Sequence, residues 1–145
     1  MPIVALRRDA KLELIKGTPL FTHCSRKDLQ RIAEVADEID LQAGKVLIEE
    51  GERGREFFVL VSGEVEVRRK RRKVATLGPG SFFGEMALLS KTPRTATVTA
   101  VTPIDVLVIS DRAFLGLLDR MPELWLKVAR ALAERVGADE LSDRR

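Results

Sequence analysis

The chain has 145 residues, of which 45% are hydrophobic and 32% are charged, and its formal net charge is +3. This length and composition are enough for one hydrophobic core, and they predict a single domain over residues 1–145. They exclude a membrane-spanning segment, because no stretch reaches the roughly 18 to 20 apolar residues that cross a bilayer. The N-terminal segment meets charge before an apolar signal core can form, so we expect a cytoplasmic protein.

Cysteine and histidine usage argues against metal and catalytic chemistry. Cys24 is the only cysteine and His23 is the only histidine, so an internal disulfide is excluded and a zinc or iron site is not expected. Cupin-like enzymes and phosphodiesterases need several histidines to hold their metals. The Gly-x-Ser-x-Gly motif of nucleophilic hydrolases does not occur either. We therefore expect a protein that is not an enzyme and holds no metal.

The N-terminal segment, residues 9–37, predicts two amphipathic helices. The first covers residues 9–16 and ends at Gly17, which is followed by proline two residues later. The second begins after Ser25, a good N-cap residue, and keeps apolar residues at helical spacing to about residue 37.

The middle of the chain, residues 38–110, has the texture of a β-sheet domain. Short runs rich in valine and isoleucine alternate with glycines, and many of the connections are too short for crossover helices. This pattern predicts an antiparallel sandwich or barrel. The candidate strands are residues 38–41, 45–49, 56–62, 64–69, 73–77, 95–101 and 104–110.

Six contiguous basic residues, Arg68 to Lys73, lie between the apolar parts of two of these candidate strands, Val65 to Val67 and Val74 to Leu77. Their removal leaves a net charge of 3 − 6 = −3, so the basic character of the protein is local. The simplest prediction is a solvated hairpin tip that discourages edge pairing. Contact with nucleic acid, anionic lipid or an acidic partner stays open, because adjacent charges can meet several phosphates.

The C-terminal segment, residues 111–137, predicts two further helices. Helical spacing returns at Arg112 to Leu118, and a longer amphipathic helix follows Pro122. We expect Trp125 to pack this last helix onto the β domain. An exposed apolar stripe on the same helix would favour a homodimer.

The most informative segment runs from Phe82 to Ala100. A helical turn that starts at Gly84 aims free N–H groups at an anionic oxygen, and Arg94 offers a planar fork of donors that suits a phosphate. The carboxylate of Glu85 would be repelled by a phosphate unless it is directed at another group, and a ribose hydroxyl that donates a hydrogen bond to it is such a group. A 3′,5′-cyclic nucleotide, which carries a ribose and one phosphate charge close together, satisfies all three residues.

This segment resembles the phosphate-binding cassette of the cyclic nucleotide-binding domain family. The family pattern is Phe-Gly-Glu-hydrophobic-Ala-Leu, a spacer, and then Pro-Arg followed by a small residue and Ala. The matching residues are Phe83, Gly84, Glu85, Met86, Ala87 and Leu88, then Pro93, Arg94, Thr95 and Ala96. The stretches Glu50-Gly51-Glu52 and Gly63-Glu64-Val65 also match family patterns, and the resemblance covers about residues 12–136.

The resemblance implies a mainly β fold with flanking helices. The expected architecture is an eight-stranded antiparallel β jelly roll at residues 38–110 that carries the cassette at residues 82–97. N-terminal helices at residues 9–37 precede it, and a C-terminal lid helix pair at residues 111–137 follows it.

The resemblance also implies the ligand-binding residues, which are Phe83, Gly84, Glu85, Met86, Ala87, Arg94 and Thr95. In the family the glutamate accepts the ribose hydroxyl and the arginine binds the cyclic phosphate, so these roles fall on Glu85 and Arg94. Thr95 can bond the phosphate or a guanine amino group, so cAMP and cGMP both stay open. The possible lid residues that cover the base are Leu132, Arg135 and Val136, although core packing explains the two apolar ones equally well.

Together these features predict a non-catalytic cAMP or cGMP sensor that signals by movement of its C-terminal helix. Two alternatives stay open: a jelly-roll scaffold that has lost its ligand and binds protein, and a regulatory domain of a larger channel, kinase or transcription regulator. About nine residues follow Val136, too few for a helix-turn-helix, so we expect no DNA-binding domain in this chain. The sequence predicts an effector protein as partner without identifying it.

Overall fold

The computed structural model describes residues 3–22, 24–84, 91–130 and 133, with side chains from residue 10 onward. The N-terminal part contains helix α1 (Ile3–Lys16), a 3-10 turn (Pro19–Phe21) and helix α2 (Arg26–Val35). Helix α1 starts six residues earlier than predicted and ends before Gly17 as expected. The predicted N-cap of α2 is confirmed, because the Ser25 hydroxyl accepts a hydrogen bond from the Asp28 N–H at 3.1 Å.

The β domain consists of two antiparallel sheets. Its strands are β1 (Ala36–Leu41), β2 (Val46–Ile48), β3 (Glu56–Ser62), β4 (Val65–Arg69), β5 (Arg72–Leu77), β6 (Phe82–Phe83), β7 (Thr97–Ala100) and β8 (Ile104–Ser110). The first sheet has the order β1-β8-β3-β6 and the second the order β2-β7-β4-β5. This arrangement confirms the expected antiparallel jelly roll with flanking helices.

Strand β6 is the one strand that the sequence patterns did not predict. It has only two residues, which is too short for an alternating pattern, and it exists because Phe83 pairs with Phe58 and Phe82 with Val59 on β3. The adjacent rings of Phe58 and Phe83 stack with centroids 5.4 Å apart. Strand β6 therefore fixes the start of the cassette against the core.

The two central strands of the first sheet, β3 and β8, are buried on both faces, which produces two hydrophobic clusters. Phe57 packs with residues of the helices, and its ring stacks on Phe114 with centroids 4.2 Å apart. Phe58, the next residue of β3, packs with residues of the second sheet such as Val98. The helices and the second sheet thus enclose the first sheet between them, and neighbouring phenylalanines are both buried although they point to opposite faces.

The C-terminal part contains helix α3 (Asp111–Arg120) and a helical segment, α4, over residues 122–130. On α4, Leu124 and Val128 are one turn apart and buried in the cluster with the helices. Trp125 was predicted to pack this helix onto the β domain, and that prediction is wrong, because the residue is 46% exposed. It lies one position past Leu124 and is therefore turned by about 100° from the buried stripe.

The basic run is divided between two strands and a turn, close to the predicted strand bounds. Arg68 and Arg69 belong to β4, Arg72 and Lys73 belong to β5, and only two residues form the turn between the strands. The prediction of a solvated tip holds for the turn and for Arg72 and Lys73, which are exposed. No helix of the described residues is long and apolar enough to cross a membrane.

Candidate functional site

Arg94 is a buried cation at the C-terminal end of the cassette. Its residue surface is only 8% exposed, and among the described residues Thr18 is the one other buried polar or charged residue. The guanidinium donates one hydrogen bond to the Gly84 carbonyl at 2.8 Å and another to the Glu56 carbonyl at 2.6 Å. A buried charge is costly unless it is well bonded, so these carbonyls define both the position and the plane of the fork.

The backbone of Arg94 is held by the preceding loop, residues 49–53. The Arg94 N–H donates to the Glu52 carbonyl, and the Arg94 carbonyl accepts from the Gly51 N–H, each at 2.8 Å. Pro93 forms an isolated bridge with Arg53 at the same place. Both the main chain and the side chain of Arg94 are therefore fixed, which is the condition for a preorganised anion site.

Gly84 begins the other half of the cassette, directly after the buried Phe83. Its φ is +97°, and a Cβ atom there would lie 2.9 Å from the Arg94 Nη1 atom and 2.9 Å from the Glu56 carbonyl oxygen. A positive φ and a close approach of other atoms each favour glycine, and this position has both. Gly84 thus brings the two ends of the cassette together.

Thr95 is exposed next to Arg94 and its carbonyl accepts a hydrogen bond from the Arg69 Nε at 3.3 Å. This contact joins the basic run to the cassette, a link that the sequence did not predict. Glu50 contributes a second link, because its carboxylate accepts from the Lys70 N–H at 2.9 Å while its own N–H donates to the Thr97 hydroxyl at 3.0 Å. The glutamate was visible as part of a family pattern, but the pattern gave no role for it.

Several predicted site residues lie outside the described part of the chain. These are Glu85, Met86 and Ala87 of the cassette and the possible lid residues Leu132, Arg135 and Val136. The structure therefore brings Phe83, Gly84, Arg94 and Thr95 together and leaves the roles of the others as predictions.

The described residues offer little to metal or thiol chemistry. Among them no group of three or more His, Cys, Asp and Glu side chains is placed to hold a metal ion. Cys24 is partly buried, and this burial, aided by the nearby Asp28 carboxylate, raises the pKa of its thiol. A raised pKa keeps the thiol protonated and weakens it as a nucleophile.

Comparison with known proteins decides the family. The family model described as cyclic nucleotide-binding domain matches residues 38–121. The chain belongs to the cyclic nucleotide-binding domain family. The matched residues include nearly all of the β strands, the cassette and α3. The jelly roll and the cassette described above therefore belong to this domain.

Cyclic nucleotide-binding relatives occur in kinase and channel proteins. The chain is 36% identical over 121 residues to a cAMP-dependent protein kinase regulatory subunit of Mycosarcoma maydis, covering 77% of this chain and 23% of the relative. It is 36% identical over 126 residues to a cyclic nucleotide-gated potassium channel of Mesorhizobium japonicum, covering 87% of this chain and 35% of the relative. The chain thus spans only about a quarter to a third of the length of these relatives.

Solved cyclic nucleotide-binding structures agree with the fold. The cAMP-bound structure of PfPKA-R superposes with a TM-score of 0.87 at 25% identity, covering 97% of this chain and 49% of that one. The catabolite activator protein of Thermus thermophilus superposes with a TM-score of 0.76 at 28% identity, covering 86% of this chain and 61% of that one. The expected cyclic nucleotide-binding fold is therefore confirmed.

Proposed function

We propose that this chain is a non-catalytic sensor that binds cAMP or cGMP. The observation that carries the proposal is the buried guanidinium of Arg94, fixed by the carbonyls of Gly84 and Glu56. A guanidinium fork at such a position suits the single negative charge of a cyclic phosphate. Membership of the family and the cAMP-bound neighbour support the choice of ligand.

Each cassette residue has a proposed role at the ligand. Arg94 binds the cyclic phosphate and Glu85 accepts the ribose 2′-hydroxyl. The N–H groups of Met86 and Ala87 add phosphate contacts, while Phe83 and Gly84 shape the pocket and allow close approach. Thr95 is exposed beside Arg94, where it bonds either the phosphate or the amino group of guanine.

The proposed biological setting is regulatory and cytoplasmic. Relatives among kinase regulatory subunits and a gated channel support a module that controls an effector protein, with residues 1–145 acting as one domain. Ligand binding is proposed to move the C-terminal helix over the base, with Leu132, Arg135 and Val136 as possible lid residues. A homodimer through that helix is part of the same proposal.

Calorimetric titration of the chain with cAMP and with cGMP tests ligand binding. The wild type is expected to bind saturably, and Arg94→Ala is expected to lose about 2 to 5 kcal/mol of binding free energy because it leaves the desolvated phosphate charge unpaired. That loss is roughly thirtyfold to several thousandfold in affinity. The ratio of the two nucleotide affinities decides between cAMP and cGMP.

Arg55→Ala is the matched control, because Arg55 is an exposed cation next to Glu56 in the chain. It removes a positive charge near the site without touching the fork, so its affinity should stay within about twofold of the wild type. Equal affinities of wild type and Arg94→Ala would contradict the assigned role. Circular dichroism of each variant separates a binding defect from unfolding.

A second function, a scaffold that binds protein and no nucleotide, has one observation in its favour. Arg94 already donates two short hydrogen bonds to main-chain carbonyls, so it has a structural role without any ligand. The two functions separate in the titration: a folded wild type that gives no heat with either nucleotide is the outcome expected for the scaffold.

A further inference from the structure

The β4–β5 hairpin carries the six basic residues Arg68 to Lys73, which we call the basic hairpin. Its two turn residues, Lys70 and Arg71, both have positive φ values, of 51° and 67°. A two-residue turn with this left-handed backbone favours Asn-Gly, and residues with long side chains adopt it at a cost. The sequence Lys70-Arg71 therefore disfavours the turn that it forms.

The strand pairing of the basic hairpin is also electrostatically unfavourable. The register places Arg68 opposite Lys73 and Arg69 opposite Arg72. Like charges directly across an antiparallel pair destabilise it. A segment that breaks two local rules at once is more often kept for function than for stability.

Other contacts hold the basic hairpin in place despite this repulsion. The Glu50 carboxylate accepts the Lys70 N–H at 2.9 Å, Arg69 donates to the Thr95 carbonyl at 3.3 Å, and Arg68 pairs with Glu66 at 2.9 Å. The Lys70 contact ties the turn of the hairpin to Glu50, and the Arg69 contact ties the end of β4 to the cassette, so the direction of the hairpin is fixed. The hairpin is thus a positioned element and not a loose loop.

Four cations remain on the outside of the basic hairpin. Lys70, Arg71, Arg72 and Lys73 are all exposed, and within the described part of the chain none of them forms an ion pair. Arg72 and Lys73 lie on strand β5, which is an edge of its sheet, and Lys70 and Arg71 form the turn next to that edge. The next residue, Val74, is 50% exposed and adds an apolar group beside the charges.

This surface has the chemistry of a contact with lipid phosphates. The hairpin has no aromatic residue on which a nucleic acid base would stack and no Asn or Gln to bond a base edge. Clustered Lys and Arg beside an exposed apolar side chain suit an anionic bilayer, where each cation contributes to attraction and the apolar group enters the interface. We propose that the basic hairpin docks the protein on anionic lipid surfaces.

The docking surface is independent of the proposed nucleotide function, and co-sedimentation with lipid vesicles tests it. The full chain is mixed with vesicles of phosphatidylcholine containing about 30% phosphatidylglycerol, and with vesicles of phosphatidylcholine alone. Binding is expected only to the anionic vesicles and is expected to fall at least tenfold between about 0.1 M and 0.5 M salt.

The informative variant is Lys70→Asn with Arg71→Gly, because it removes two charges and installs the preferred turn sequence. It is expected to unfold at a higher urea concentration than the wild type and to bind anionic vesicles at least tenfold more weakly. The matched control, Arg26→Gln with Lys27→Gln, removes two exposed charges at the start of α2 and should bind like the wild type. Equal vesicle binding by the hairpin variant and this control would overturn the proposal.

Two other occupants are distinguished in the same experiment. Binding of the wild type to a short DNA duplex, without binding to anionic vesicles, would overturn the proposal in favour of nucleic acid. Salt-sensitive self-association in sedimentation that the hairpin variant abolishes, again without vesicle binding, would overturn it in favour of a second copy of the chain, whose strand β1 carries exposed Asp37, Glu38 and Asp40.

Discussion

At the scale of single residues, Gly84 is the position where backbone conformation and site geometry depend on each other. Its φ of +97° disfavours any L side chain, and the space where a Cβ atom would sit is already occupied by the Arg94 guanidinium and the Glu56 carbonyl. The absence of a side chain at this position therefore lets a buried cation approach the main chain. A motif match alone identifies the glycine but not this reason for it.

We expect Gly84→Ala to reduce both stability and nucleotide affinity. Gly44→Ala is the matched control, because Gly44 has a similar φ of +92° but no atom within 4 Å of the added methyl group. Both variants should lose about 1 kcal/mol of unfolding free energy from the left-handed backbone, and Gly84→Ala should lose about 1 to 3 kcal/mol more from the clash. Its nucleotide affinity should fall at least tenfold. If urea denaturation gives equal losses of unfolding free energy for the two variants, the clash at Gly84 relaxes without cost and the prediction is contradicted.

At the scale of elements, Lys127 ties the C-terminal helix to the N-terminal 3-10 turn. Its ammonium group donates to the Pro19 and Leu20 carbonyls, each at 3.1 Å. The same lysine lines a cleft of about 400 Å³ between the N-terminal and C-terminal helices. If α4 moves toward a ligand, it either breaks these two hydrogen bonds or carries the N-terminal turn with it. Lys127 is therefore placed to influence the proposed helix movement.

Amide hydrogen exchange tests this coupling. Lys127→Met keeps the apolar stem and removes both bonds, which should cost about 1 kcal/mol and speed exchange in residues 122–130 about fivefold. Arg130→Met, on the same helix and exposed, should leave exchange unchanged. Nucleotide should alter protection across residues 121–137 in the wild type. Equal protection with and without nucleotide would contradict the proposed helix movement.

At the scale of the whole molecule, one carboxyl group makes stability depend on pH. Asp105 on β8 lies opposite Asp40 and near Glu38 on β1, and its Oδ1 atom is buried without a hydrogen-bond partner among the described residues. Burial first, and then the hydrogen bond and charge of Glu38 and the charge of Asp40, raise the pKa of Asp105 to about 7. The folded protein therefore holds this proton more tightly than the unfolded chain does.

The sign of the pH effect follows from that raised pKa. The stabilisation linked to this proton is complete below the ordinary value of 3.8 and is lost as the pH rises through about 7. Asp105→Asn cannot ionise, so it should exceed the wild type by about 1 kcal/mol at high pH, a figure reduced for the partial exposure of the residue. Urea denaturation at pH 5 and pH 8 measures the difference. A pH profile of Asp105→Asn that runs parallel to the wild-type profile would contradict the prediction.

The sequence by itself determined the features that depend on nearby residues. Ser25 capped its helix because the donor is three residues away, and the glycine-punctuated runs predicted antiparallel strands because alternation and turns are local. The family assignment also came from contiguous motifs. The proposed roles of Glu85, Met86 and Ala87 still rest on that motif alone.

Only the tertiary structure decided the features whose partners are distant in sequence. Lys127 meets the N-terminal turn across 107 residues, Arg94 meets Glu56 across 38, and Glu50 meets the basic hairpin across 20. Strand β6 and the exposure of Trp125 likewise depend on which surfaces the folded chain covers. Local patterns do not encode such contacts, because the cost of closing each loop is repaid only when the complete core forms.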